Sequence, residues 1–163
     1  ASRIISSVAR TSLYPEWLRD RPEDFHHNTR VAFTTGELIP AQTYYKAQKL
    51  RALVRQQTLD ALNRYDVLAM PNAAEPATIM DMTPGVRSKE AAIRALSEGS
   101  YRGLFSMTSG PALSLCCGFT SDGEGKLPLA IQLAGRPFDE GMVLNVAHAY
   151  QQNTSWHLER PPV

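Results

Sequence analysis

Apolar positions over roughly the first 35 residues follow no sustained period: charges, aromatics and two prolines, Pro15 and Pro22, interrupt one another, so the stretch to about Thr35 reads as a connecting or wrapping segment. The pattern changes at Pro40, a residue suited to the first turn of a helix. From there Ala47, Leu50, Val54, Thr58, Ala61 and Tyr65 recur at steps of three and four, while Lys46, Lys49, Arg51, Arg55 and Asp60 fall mostly elsewhere. That spacing predicts a long amphipathic helix. Asp66-Val67-Leu68-Ala69-Met70 follows as a short apolar run closed by Pro71, the composition of a buried strand.

Residues 72 to 87 carry Pro76, Pro84 and Gly85 without a consistent period and predict a long surface loop. Ser88 can cap a short helix that runs to Glu98 and stops at Gly99. A less polar helix from about Tyr101 to Thr108 leads through Ser109-Gly110-Pro111 into Ala112-Leu113-Ser114-Leu115-Cys116-Cys117, again continuous in the manner of a central strand. The Ser121-Asp122-Gly123-Glu124-Gly125-Lys126 cluster is turn chemistry, and Leu127 to Leu133 supplies the returning strand of a hairpin. Asp139 and Glu140 open a last helix with Met142, Val146, Ala149 and Tyr150 on its apolar face. The expected class is α/β, a mixed central sheet flanked by helices, with residues 36–153 as its core and 154–163 as a tail.

Composition narrows the function classes. With 43% hydrophobic and 20% charged residues, the 163-residue chain can bury a real core, which argues against disorder. Seventeen basic against sixteen acidic residues leave a net charge of +1, so neither nucleic acid nor an anionic membrane is an expected partner. Cys116 and Cys117, adjacent in an apolar run, read as small buried hydrophobes, a usage that suits a reducing cytoplasm. No apolar stretch has the length of a membrane span, and Ala1 to Arg10 lacks a signal-peptide apolar region; a cytoplasmic location is expected.

Candidate chemistry is sparse. His26 and His27 lie near Glu23 and Asp24, yet adjacent side chains point apart and suit a surface better than a metal site; neither metal nor cofactor is expected. Gly123-Glu124-Gly125-Lys126 lacks the spacing and the following helix of a phosphate loop. His148 borders the apolar face of the last helix, where a packed histidine is the plainer reading than a base.

The segment Leu127-Pro128-Leu129-Ala130-Ile131-Gln132-Leu133-Ala134-Gly135-Arg136-Pro137-Phe138-Asp139-Glu140 resembles the near-terminal motif of amidase-signature enzymes, G-L-P-V-G-L-Q-I-I-G-R-P-F-D-E. Phe105 to Gly118 resembles that family's F-N-L-T-G-x-P-A-I-S-V-P-x-G, and the Tyr44 to Arg51 helix with Tyr65-Asp66-Val67-Leu68 resembles the preceding helix and strand. The resemblance implies the C-terminal part of an α/β amidase fold. It also implies attack on an amide by a serine, activated through a second serine in a cis peptide and a lysine, with water or another amine resolving the acyl-enzyme. In the family that machinery lies in an N-terminal Gly-Ser-rich segment, and this sequence has no such run, so no catalytic residue is assigned here. The implied partners are a small-molecule amide substrate and the missing N-terminal half of the enzyme, with a homo-oligomer as a further option.

The family pocket is closed by the helix before the F-N-L-T-G-like motif, so Arg102, Phe105 and Thr108 could face the substrate's acyl group; Phe105 and Met107 equally suit a core. Ser106, Ser109 and Cys116 replace the motif's Asn, first Gly and Pro. Members that make amidated transfer RNA place an acidic residue where Gly99 stands, which favours a free-standing amidase over a piece of an amidotransferase. The rival from another class is a non-catalytic assembly module reusing the same half-fold. The resemblance requires Leu113 to Cys117 and Leu129 to Leu133 to share a sheet, with the last helix packed on it.

Overall fold

The structure, a computed structural model, describes residues 1–73, 76, 102–120 and 127–160. The expected helix from Ser88 to Glu98, the turn from Ser121 to Lys126 and most of the 72–87 loop lie outside them. Contacts divide the chain into two compact units, the first containing Ala1–Leu53 and the second Val54–Thr78 with Gly99–Val163, so the boundary falls inside a helix.

The first unit is helical where the pattern predicted a connecting segment. It contains α1 (Ser2–Leu13), α2 (Pro15–Asp20), a 3-10 turn (Pro22–Asp24), α3 (His27–Glu37) and the start of α4 (Ala41–Leu62). Hydroxyl side chains turn back onto the preceding turn, Ser6 donating to the Ser2 carbonyl at 2.9 Å, which satisfies them within the helix. The buried Thr11 hydroxyl reaches the Phe33 carbonyl at 2.6 Å and the Ser7 carbonyl at 2.9 Å, tying α1 to α3. Gly36 makes that approach feasible: a Cβ there would fall on the Thr11 hydroxyl and lie 2.6 Å from the Ser7 carbonyl oxygen. Phe33 stacks on Tyr14 at 5.8 Å and meets Phe25 edge-on at 5.6 Å. In α2, Arg19 hydrogen-bonds Asp20 and holds that exposed carboxyl below its usual range.

In α4 the structure corrects the predicted stripe. Ala47, Thr58 and Leu62 are buried, while Leu50 and, beyond the helix end, Tyr65 are exposed.

The second unit carries β1 (Leu68–Pro71), α5 (Arg102–Thr108), β2 (Ala112–Phe119), β3 (Pro128–Ala134), α6 (Glu140–Gln152) and a 3-10 turn (Trp156–Leu158). The three strands form an antiparallel sheet in the order β1-β3-β2. The hairpin is as predicted, but β3, rather than β1 or β2, is central. Leu113 pairs with Leu133 and Leu115 with Ile131, which puts these four on one face. There Leu115 and Leu133 pack with Val143 and Ala147 of α6, flanked by Val67, Val146 and Tyr150. The buried stripe of α6 is thus Val143–Ala147 rather than one centred on Met142 and Ala149; Ala149 is exposed. Ala134, on the opposite face, is also buried, whereas β1 alternates between half-buried and exposed, as an edge strand does. Both cysteines are free and half-buried rather than buried.

Candidate functional site

The helix-to-strand motif lies at the sheet end where β2 begins and β3 stops. Here α5 ends at Thr108, and Ser109 takes φ 60°, the left-handed conformation that terminates many helices. That is the position at which the family pattern has glycine. Pro111 then accepts a hydrogen bond from the Gly135 N–H at 3.1 Å, and a Cβ on Gly110 would lie 2.8 Å from the Gly135 carbonyl oxygen. The motif glycine and proline therefore seat the start of β2 directly against the end of β3.

Gly135 leads into the Arg136-Pro137-Phe138 turn. Arg136 donates to the Tyr65 carbonyl at 3.2 Å and sits 3.5 Å from Asp66 and 3.7 Å from Asp139. It links the segment that feeds β1 to the segment that opens α6, in the part of the chain where the sequence motif is longest. These pairs are solvent-accessible, so geometry rather than large stabilisation is their contribution. Phe138, at φ 65°, projects outward and is 96% exposed.

Of the three residues expected to face substrate, Arg102 is the first residue of α5. Phe105 and Thr108 are each 4% exposed, and the Thr108 hydroxyl donates to the Phe105 carbonyl at 3.0 Å. Two side chains to which sequence reasoning gave no part in a site stand out. Gln132, paired with Met70 on one side and Ser114 on the other, lies on the sheet face away from α6. Its buried Oε1 has no hydrogen-bond partner among the described residues. Cys117 borders an apolar recess of about 500 Å³ with Met70, Pro71, Leu129 and Ile131, at the end of the sheet opposite α5. The unpaired Gln132 acceptor was visible in the sequence only as a polar residue within an apolar strand.

Among the described residues, no group of three or more His, Cys, Asp or Glu side chains is placed to hold a metal ion, and His26, His27 and His148 are exposed. No described helix is long and apolar enough to cross a membrane.

Comparison with known proteins supplies the wider frame. Residues 9–144 match the Amidase family model. Relatives include the A subunit of glutamyl-tRNA(Gln) amidotransferase from Aromatoleum aromaticum, 35% identical over 150 residues that make up 89% of this chain and 29% of that protein. Its counterpart from Methanosarcina barkeri is 39% identical over 119 residues, 73% of this chain and 23% of that protein. Among solved structures, an amidase crystal structure superposes with a TM-score of 0.67 at 23% identity, over 91% of this chain and 33% of its own. A bacterial aryl acylamidase of the amidase-signature family gives 0.69 at 17% identity, over 99% and 35%. The chain therefore spans about a third or less of the proteins it matches.

Proposed function

The chain belongs to the amidase family, and from that premise we propose that it is the C-terminal part of a cytoplasmic amidase hydrolysing carboxamide C–N bonds, with the catalytic residues outside this chain. The carrying observation is that the β2–β3 hairpin, the Arg136 turn and α6 assemble as one layer while the sequence holds no Gly-Ser-rich run. In this reading the layer is supportive, contributing strands and a pocket wall to a site in which a serine oxygen attacks the amide carbon. The serine's proton leaves through the second serine and the lysine, the C–N bond breaks, and water releases the acyl group. The wall is α5, and Arg102, Phe105 and Thr108 are its positions. Phe105 and Thr108, being buried, shape the wall from beneath rather than by direct polar contact.

The names of the relatives favour a second reading, a piece of an amidotransferase in which an amine rather than water resolves the acyl group. Gly99, whose identity argues for the amidase, lies outside the described residues. Incubating the purified chain with a simple aryl acylamide tests the first proposal: no turnover is expected, and genuine hydrolysis by the chain alone would overturn it. Placing this chain in the Aromatoleum aromaticum relative, in place of the 29% to which it aligns, should restore acyl-enzyme formation. Release of the acyl group to water alone favours the amidase, and its capture by an added amine favours the transferase.

A further inference from the structure

β1 and β2 both pair antiparallel with β3, so they run the same way and their carboxyl ends lie at one end of the sheet. In open α/β sheets, ligands bind in the crevice outside the carboxyl ends of such strands. The apolar recess of about 500 Å³ sits at this end, against Met70 and Pro71 of β1, Cys117 of β2, and Leu129 and Ile131 of β3. Its volume is that of a small-molecule pocket.

Hydrogen bonds fix the frame of the recess on both sides. Just past β1, the Asn72 N–H donates to the Ala130 carbonyl at 2.9 Å. Just past β2, the Thr120 N–H donates to the Leu127 carbonyl at 3.0 Å, and the Leu127 N–H donates to Thr120 Oγ1 at 3.1 Å. Both strand ends are thus stitched to β3 or to the residue that precedes it, so this frame exists before anything enters it. Within it the ladder is interrupted once. Cys116 pairs with Ala130 and Gly118 with Leu129, which leaves Cys117 as the extra residue of a bulge. Gly118 takes φ 150°, a backbone conformation that residues with a Cβ rarely adopt. A bulge re-aims the side chain it carries, and here the free, half-buried Cys117 borders the recess.

We propose that the recess is a specificity subsite for the apolar part of the substrate amide, and that Cys117 limits its depth. Aliphatic walls and a thiol offer an entering group contact area rather than hydrogen bonds, so the group that fits is an alkyl chain or a ring. The segment from α5 joins β2 at the opposite end, through Ser109 to Pro111. A substrate that meets both α5 and the recess is therefore an extended apolar amide. The inference rests on the reading of the chain as part of an amidase and names the substrate class of that enzyme.

Two amides that differ only in chain length, octanamide and acetamide, test it. In the Aromatoleum aromaticum chimera, octanamide should be hydrolysed with a kcat/KM at least tenfold above that of acetamide. Cys117→Phe fills the recess and should lower kcat/KM for octanamide at least tenfold more than for acetamide. Equal losses on the two amides, or an octanamide preference that survives the substitution, would overturn the proposal. Leu129→Ala gives an answer should Cys117→Phe fail to fold: by widening the recess it should raise the preference for decanamide over octanamide at least threefold, and an unchanged ratio would count against the subsite. In the chain alone, octanamide should shift the backbone amide resonances of Met70, Cys117 and Ile131, and acetamide at the same concentration should not. Absent shifts would overturn the proposal, as would shifts in the chain alone with none in the chimera, since that assigns the recess to the rest of the enzyme. A chimera in which octanamide shifts those resonances yet neither amide is hydrolysed contradicts the proposed function and leaves the apolar site standing.

Discussion

Buried contacts in the helical unit are polar and aromatic, whereas those around the sheet are aliphatic. Between α1 and α3 the closest tie is a threonine hydroxyl on a backbone carbonyl beside a glycine, with Tyr14, Phe25 and Phe33 gathered at one end. Between β2, β3 and α6 it is Leu115, Leu133, Val143 and Ala147. An aliphatic cluster tolerates small shifts and resists loss of volume, while a hydroxyl-and-glycine contact resists gain of volume. Opposite substitutions should therefore break the two units.

The largest effect is expected from Leu133→Ala. It empties a buried position between Leu113 and Ala69 on the central strand, and should cost about 3 kcal/mol, read as a lowered denaturant midpoint. A loss well under 1 kcal/mol would show that the cluster is not the core of that unit. Gly36→Ala adds one carbon and should cost about 2 kcal/mol, because Thr11 and the Ser7 carbonyl must move. Protection of the α1 amides should fall first, and an unchanged α1 with a weakened sheet would reverse the comparison.

The same contrast explains what was legible in the sequence. Leu113, Leu115, Ile131 and Leu133 announce themselves as strands because aliphatic side chains carry both the pairing and the packing. Val143 and Ala147 were missed as the buried stripe of α6 because Met142 and Ala149 are as apolar as their neighbours, and only the position of the sheet selects among them. In α1 the apolar Ile4, Ile5, Val8 and Ala9 do recur at helical spacing, but the helix is only 12 residues long and prolines and charges follow it, and in α3 the buried Gly36 is marked by no hydrophobic period, so the segment looked like connection rather than structure. β1 looked buried because its residues are apolar, but a strand's neighbours, not its own composition, decide whether both of its faces are covered. The site was legible as motif order and illegible as contacts: nothing in the sequence says that Gln132 holds an unpaired buried acceptor.

That acceptor sharpens the comparison, since it is an unpaired polar atom in the unit whose sheet-and-helix cluster is aliphatic. A buried acceptor without a partner costs roughly 1–3 kcal/mol, so Gln132→Met, of similar shape, should stabilise the chain by about 1 kcal/mol. If the rest of the enzyme supplies the missing donor, the same substitution should weaken the chimera instead. Stabilisation in both settings would show that Gln132 serves no partner there.

The smallest effect belongs to Ser109, where the sheet unit departs from its family's glycine. A left-handed φ of 60° costs a residue with a Cβ roughly 1–2 kcal/mol, and glycine gives back about 0.5–1 kcal/mol of that through its greater freedom in the unfolded chain. On the backbone alone Ser109→Gly should thus gain about 0.5–1 kcal/mol, the difference of those two ranges, and should raise protection in β2 and β3 while leaving α1 unchanged. The helix must stop at Thr108 for Pro111 to accept from Gly135 and begin the pairing. A loss of stability on Ser109→Gly would mean that the serine side chain contributes more at this turn than its backbone conformation costs.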